Sequence, residues 1–420
     1  MPPNPSSSDQ PLDPRPWYKR IAWFNLLFSI IIPFIALLEA LRTPLHPKTA
    51  VFAIVYFWAT GLTITAGYHR LWSHRSYKAS TFLSIIFALL GAAAVQGSAF
   101  WWAKRHRAHH RYTDTDLDPY SANRGLFFSH IGWILVRRDA SGPAVGQADA
   151  GDLKKDKIVQ WQHRYFVPLS LGLGLVLPVV ICGVFWGDWR GGVVYAAILR
   201  MAVLQQCTFC VNSLAHYMGS QPFSDRHSPR DHIVTAIITF GEGWHNFHHT
   251  FPADYRNGYK YWQYDPTKWL LWCCERIGLA NRLQRFQGNE IKKANLLMRE
   301  RKLVAERATL QWGPSISSLP VMTWNEFQME TKTKNANGKR KGLIAIAGVV
   351  HDITEFAASH PGGESIIRGG IGRDCTADFM GGVYAHSETA SNYLAVMRVA
   401  RLKGGGRVEV EINLEDKTSI

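Results

Sequence analysis

The sequence predicts an all-α integral membrane domain, with four transmembrane helices under a cytoplasmic helical cap, followed by a small α+β domain. Three observations carry this. Five long apolar runs lie within the first 211 residues. Nine histidines fall into tight clusters between positions 69 and 249, and they have to share one side of the membrane. After residue 250 the composition turns to that of a soluble chain, with a compact stretch at 321–405 that contains the strand-like LIAIAGVV.

The apolar runs cover 22–41, 49–68, 81–103, 165–186 and 191–211, each long enough to be considered as a span. Residues 1–20 are rich in Pro, Ser and charge, and read as a disordered segment without a cleavable signal peptide, so the first span is expected to act as its own insertion signal. Arg15, Lys19 and Arg20 just before that span favour a cytoplasmic N-terminus. Trp23, Trp58, Trp72, Trp101, Trp102, Trp186 and Trp189 sit near span ends, as an interfacial belt requires.

The histidines decide how many runs cross. They are His69 and His74, then His106, His109 and His110, then His216, then His245, His248 and His249. Positions i, i+3 and i+4 share a helix face, so each His-x-x-His-His triplet can aim three imidazoles at one place. His69 and His74 are about 140° apart on a regular helix, and suit a helix end where the backbone bends. Nine imidazoles are too many for one metal and suit two, and ligand type leaves iron, zinc, copper and nickel open. If 81–103 crossed, the second cluster would lie about 30 Å of hydrocarbon from the first. The expected spans are therefore 22–41, 49–68, 165–186 and 191–211, with 81–103 lying along the membrane or dipping in and returning.

The remaining composition narrows the partners. A net charge of +15 points to anionic ligands or an acidic membrane surface, and no nucleic-acid motif or basic block is present. Six cysteines form no disulfide framework, and Cys207 and Cys210 sit in an apolar run where packing explains them. Asp114, Asp116 and Asp118 open like a calcium loop, but Gly125 stands where its glutamate belongs. Arg200 lies inside a span and needs a partner. His46, His130, His163, His227 and His232 read as ordinary polar residues. Residues 254–310 read as an amphipathic helical cap over the histidines, 311–320 as a linker and 406–420 as a tail.

At GYHRLWSH, HRAHHRYTDTDLDPY, NSLAHYMG and GEGWHNFHH the chain resembles the membrane acyl-CoA Δ9 fatty acid desaturases, the stearoyl-CoA desaturase family, over about 15–300. Residues 321–405 resemble cytochrome b5 through GVVHDITEFAASHPGG, DCTADF and AHS, the C-terminal fusion of the fungal enzymes. The resemblance implies a cis double bond placed between carbons 9 and 10 of palmitoyl- or stearoyl-CoA. It implies O2 and two electrons, supplied by an NADH-dependent cytochrome b5 reductase through the heme domain, at the cytoplasmic face of the endoplasmic reticulum membrane. It implies two iron ions held by the nine histidines, with Asn212 reaching a metal through water, and a b-type heme between His360 and His386. The heme histidines are 26 apart, slightly longer than usual, Cys375 stands where alanine is common, and His351 replaces a tyrosine and is not counted as a ligand. Arg137 and Arg138 match positions that contact CoA phosphates, and Asn25 and Gln96 match pantetheine contacts.

Helix geometry adds one expectation. The nine carbons beyond carbon 9 of an 18-carbon chain extend about 11 Å, or seven to eight helical residues. A chain running beside the second span from His69 therefore ends near Gly61 and Leu62, with Phe57 a turn deeper. The alternative is that Gly61 only permits close helix packing. Two rival functions stay in view: another membrane di-iron lipid oxygenase, such as a hydroxylase or a desaturase of different position, and a non-catalytic heme or metal carrier. His245 at the head of the last cluster and the C-terminal module argue against front-end desaturases, which place glutamine and the heme domain differently.

Overall fold

The computed structural model describes residues 16–137, 145–334, 338, 340–381 and 385–404. The chain forms two compact units, Met1–Arg301 and Lys302–Ile420.

In the first unit, four helices are long and apolar enough to cross a membrane: α1 (Trp23–Ala40), α2 (Pro47–Ser73), and later Phe166–Trp186 and Trp189–Tyr217. Only 6% of the apolar window of α1 is buried, and Phe24, Leu27, Phe34, Leu37 and Leu38 are exposed on it. α2 starts at a His46 cap with proline in its first turn, the position where a missing N–H costs nothing. Its last ten residues, Ile64–Ser73, widen into a π-helix. The His74 N–H donates to the His69 carbonyl at 3.1 Å, an i+5 bond. That widening brings two histidines five apart onto one face, the bend that their spacing demanded.

α3 (Thr81–Ala93) follows from a Ser80 cap. Thirteen residues rise only about 20 Å, too short for a bilayer core. The chain turns at 94–98 and continues as α4 (Ala99–Tyr112), so the apolar run 81–103 is broken and forms no single spanning helix. The turn holds Val95 at φ 55° and Gly97 at φ 92°. A β-branched residue in the left-handed region is strained, and its surroundings have to hold it there. Gln205 does so, donating to the Val95 carbonyl at 3.1 Å.

Arg200 finds its partners at the same turn. Its guanidinium donates to the carbonyls of Ala93 (3.3 Å), Gly174 (3.0 Å) and Ala196 (2.8 Å) and to the Thr60 hydroxyl (3.2 Å). It also lies over the Tyr56 ring at 4.7 Å. The buried cation thus pairs with backbone dipoles and a ring face. Those carbonyls end α3 or sit in a π-bulge, and unsatisfied they would cost several kcal/mol each in hydrocarbon.

α5 (Lys157–Arg164) braces this hairpin. Gln162 donates to Tyr68 Oη and the Ala88 carbonyl and accepts from the Ala99 N–H. α6 (Phe166–Trp186) then ends at Gly187 in the left-handed conformation, and α7 (Trp189–Tyr217) returns. Residues 218–301 add the short helices α8 (Ile233–Ile238) and α9 (His245–Thr250), then α10 (Pro266–Arg276). Tyr255, Leu271, Cys274 and Ala280 share one core cluster with Ile64, Tyr68 and Phe87, so this region is built onto the end of α2. The basic stretch beyond it forms α11 (Gly288–Ala308).

The second unit contains a four-stranded sheet of β1 (Val321–Met322), β2 (Leu343–Ile346), β3 (Val349–Asp352) and β4 (Arg398–Leu402), in the order β1-β4-β3-β2. β1 runs parallel to β4 and the other pairs are antiparallel. Ala347 and Gly348 close the β2–β3 hairpin, both at positive φ, as a two-residue turn requires. Alternation along β2 sends Leu343 and Ala345 to a core with Phe327, and Ile344 and Ile346 to one with Ile353 and Cys375.

Candidate metal centre

All nine histidines converge in the first unit, in two groups. His69, His74, His106, His110 and His248 form one; His109, His216, His245 and His249 form the other. Within each group the candidate ligand nitrogens lie within 4.8 Å of one another. Each group draws on α4 and α9, because the triplets on those helices split their imidazoles between the two places.

The spacing fits a metal ion. Facing Nε2 atoms stand 2.8 Å apart in His74–His106, 3.0 Å in His69–His248 and His110–His248, and 3.1 Å in His245–His249. Two imidazole nitrogens bound to one ion at about 2.1 Å and roughly at right angles lie about 3 Å apart. Nε2 of His109 and of His216 are buried without a hydrogen-bond partner, which a bound cation would supply. Burial first, and neighbouring histidines second, push the imidazoles of His74, His106, His110, His245, His248 and His249 well below their ordinary pKa. They are neutral, the form that binds metal.

Carboxylates set the outward nitrogens. Glu242 Oε2 lies 2.8 Å from His69 Nδ1, and Asp118 lies 3.0 Å from His109 Nδ1. Glu242 also accepts from Arg70 at 3.0 Å, which in turn is held by both oxygens of Asp265. Burial alone would raise the Glu242 carboxyl; His69 and Arg70 outweigh it and hold it below its usual range. Trp102 stacks on His106, ring centroids 5.0 Å apart. Sequence reasoning missed Glu242, although it stands three residues before His245, and it weighed Asp118 against a calcium loop, which it rejected, and as part of the acyl thioester region, without pairing it with a histidine. Asp118 instead accepts from His109 and from the backbone of Asp114 and Tyr120.

A narrow cavity of about 40 Å³ leads away from the first group. Its lining includes His69, His106, Trp102, Glu242 and Asn212, and also Ile64, Leu204, Phe240 and Gly61. Gly61 lines this cavity, and a Cβ there would lie 2.4 Å from Phe240 Cζ, so the glycine makes room for that ring. Asn25 donates to the Ile134 carbonyl at 2.7 Å, joining α1 to the segment before Arg137. Gln96 lies in the α3–α4 turn, its amide nitrogen 3.5 Å from the Leu204 carbonyl. Arg137 is exposed, its N–H bonded to the Arg20 carbonyl at 2.7 Å, and Arg138 lies outside the described residues.

The fatty acid desaturase family profile matches residues 47–280. The chain belongs to the fatty acid desaturase family. A cytochrome b5-like heme/steroid binding domain matches residues 328–403. This desaturase is 46% identical to acyl-CoA desaturase 1 of Saccharomyces cerevisiae, over 94% of this chain and 76% of that one. It is 36% identical to the stearoyl-CoA desaturase of Homo sapiens, over 66% of this chain and 77% of that one. It is also 39% identical to the acyl-CoA Delta-9 desaturase of Acheta domesticus, over 58% and 68%. The desaturase family implies iron at the histidine groups and the second domain implies heme.

The heme fit rests on two histidines of the second unit. The rings of His360 and His386 lie 6.4 Å apart, centroid to centroid, at 31°. Two imidazoles bound on opposite sides of one iron have centroids roughly 6 Å apart. Each Nδ1 lies 3.2 Å from a backbone carbonyl, Gly363 for His360 and Phe379 for His386, so Nδ1 carries the hydrogen and Nε2 would be the atom to ligate the metal. Phe379 stacks on His386 at 4.5 Å. A Cβ on Gly362 would come within 2.8 Å of His360 Cε1, so the glycine keeps room for that ring. His351 lies in β3, among core residues.

Proposed function

We propose that the chain is an acyl-CoA Δ9 desaturase of the endoplasmic reticulum membrane that converts palmitoyl- and stearoyl-CoA to their cis-9 unsaturated forms. The balance is one saturated CH2–CH2 unit, O2, two electrons and two protons giving one CH=CH unit and two waters. An unactivated methylene offers no acidic proton and no leaving group, so side-chain acid–base chemistry cannot open it. Iron supplies, with O2, the oxidising power that the side chains lack. Two irons are held here, one by His69, His74, His106, His110 and His248, the other by His109, His216, His245 and His249, with Asn212 acting through water.

The protein's own residues bind, orient and exclude. The observation that carries the reading is a single cavity lined both by His69 and His106 and by Ile64, Leu204, Phe240 and Gly61. A methylene pair held at this cavity would lie beside the histidine groups, away from bulk water. Arg137 and Arg138 serve the CoA phosphates, with Asn25 and Gln96 nearer the pantetheine. His360 and His386 would hold a heme, which would supply an electron relay between an NADH-dependent cytochrome b5 reductase and the histidine-held iron. The N-terminus, the histidines and the heme domain face the cytoplasm.

The test is product analysis of purified protein with stearoyl-CoA, NADH, reductase and O2. Oleoyl-CoA as the product, lost in His106→Ala, supports the reading. A hydroxylated product would favour the rival oxygenase, and O2 consumption independent of acyl-CoA would sink both.

A further inference from the structure

His69 and His109 each meet a carboxylate directly, whereas His216 meets a hydroxyl. His216 Nδ1 lies 2.7 Å from Ser228 Oγ. Ser228 Oγ donates to Asp114 Oδ1 at 2.5 Å, and the Ser228 N–H donates to Asp114 Oδ2 at 2.6 Å. The order of protons in this chain follows from chemistry. A carboxylate only accepts, so the Ser228 hydroxyl hydrogen is directed to Asp114. The serine lone pairs then face His216, whose Nδ1 has to carry the hydrogen. His216 Nε2 is left as a bare lone pair, and it is buried with no hydrogen-bond partner.

Asp114 is held for this task at a backbone cost. It sits just beyond α4 at φ 65°, in the left-handed region. Its own N–H donates to Asp118 Oδ2 at 3.1 Å, and its carbonyl accepts from Asn123 Nδ2 at 2.6 Å. Asp118 thus serves two histidines, touching His109 and fixing the loop that presents Asp114. The side chain of Asp114 is 14% exposed, and His227 Nδ1 lies 3.7 Å from it on the outer side.

We infer that Asp114 is a positioning residue for the metal centre: acting through Ser228, it fixes the tautomer and ring orientation of His216. This rests on His216 being a ligand. Asp114→Asn keeps the shape and replaces one acceptor oxygen by an NH2 donor. Either the Ser228 N–H loses its acceptor, or the hydroxyl turns toward His216 and forces hydrogen onto Nε2. Ser228→Ala removes the link, and Ser228→Thr retains it.

The experiment uses the full-length holoenzyme and follows iron loss to a chelator, together with heme content and thermal midpoint. Asp114→Asn and Ser228→Ala should each lose iron about 10–100-fold faster, the range for partners behind metal ligands. Heme content and midpoint should stay near wild type, as should iron retention in Ser228→Thr and in the exposed control Asp116→Asn. Because the two residues act in series, Asp114→Asn/Ser228→Ala should be no worse than the more severe single variant. Unchanged iron loss in both single variants overturns the inference, and so do effects that multiply in the double variant. His216→Ala separates the two levels. If it keeps all its iron, the ligand reading has failed; if it loses iron while Asp114→Asn does not, only the relay has.

Discussion

The two histidine sites are built on opposite plans. In the first unit, six of the nine histidines are buried and His69, His109 and His216 each end, directly or through Ser228, on a carboxylate. In the second, His360 and His386 are only half-buried and rest on backbone carbonyls. A carboxylate behind an imidazole raises its basicity and favours a higher-charged metal, whereas a carbonyl only orients the ring. Burial excludes water from a centre that makes a strong oxidant. A site that only passes electrons needs one edge open to its partner and no open coordination position.

The largest effects should come from breaking one site and sparing the other. His106→Ala or His249→Ala should reduce desaturation to background while the heme absorption bands persist. His360→Ala or His386→Ala should remove those bands, yet activity should return when free cytochrome b5 is added. Rescue of His106→Ala by added cytochrome b5, or failure to rescue His360→Ala, would reverse the division of labour.

A second comparison tests the carboxylates. Glu242→Gln and Asp118→Asn should weaken iron retention about 10–100-fold, because each leaves an imidazole free to turn or to take the wrong tautomer. Metal analysis after dialysis against a chelator reads this. Equal loss of heme and iron would mean that the substitutions had unfolded the protein instead.

How much of this was legible in the sequence depends on distance along the chain. The i, i+3, i+4 triplets exposed α4 and α9, since the periodicity is local. The topology followed from requiring His69 and His106 to meet, and α3 is indeed too short to span. Glu242 and Asp265 were not legible as a pair, because they meet through Arg70, some 170 and 195 residues earlier. Arg200 was recognised as costly, but its partners are main-chain carbonyls, which carry no sequence signal. The Asp114 stretch was read for a linear ligand pattern that it does not form, because its partner Ser228 is 114 residues away. Asn25 was assigned to pantetheine by resemblance alone, and the bond of its amide to the Ile134 carbonyl, 109 residues away, carried no local sequence signal.

The cavity offers a smaller effect. Gly61→Phe has to displace the Phe240 ring and shorten the space beyond His69, so products should shift from 18 toward 16 carbons. Gas chromatography of products from equal mixtures of palmitoyl- and stearoyl-CoA measures the ratio. An equal fall on both substrates would leave Gly61 as a packing residue against Phe240 alone.

The smallest expected effect uses a buried histidine that holds no metal. His351 lies in β3 of the heme domain, and burial, with Arg398 adding to it, pushes its imidazole down to about 4. Unfolded, it titrates near 6.5. The folded value is depressed, so the neutral form fits the core and protons bind the unfolded chain more tightly. Stability from this group is complete above pH 6.5 and is lost as pH falls toward 4, by about 2 kcal/mol at pH 5. His351→Phe removes the proton site and should flatten that part of the pH dependence. The measurement is the urea midpoint for loss of the heme bands in the full-length protein, at pH 7 and pH 5, for both forms. Every other group is common to the two forms, so its contribution cancels in the difference. Identical pH dependence in the two forms would show that His351 reaches water in the folded domain. The contrast between metal-holding and core histidines would then rest on the first unit alone.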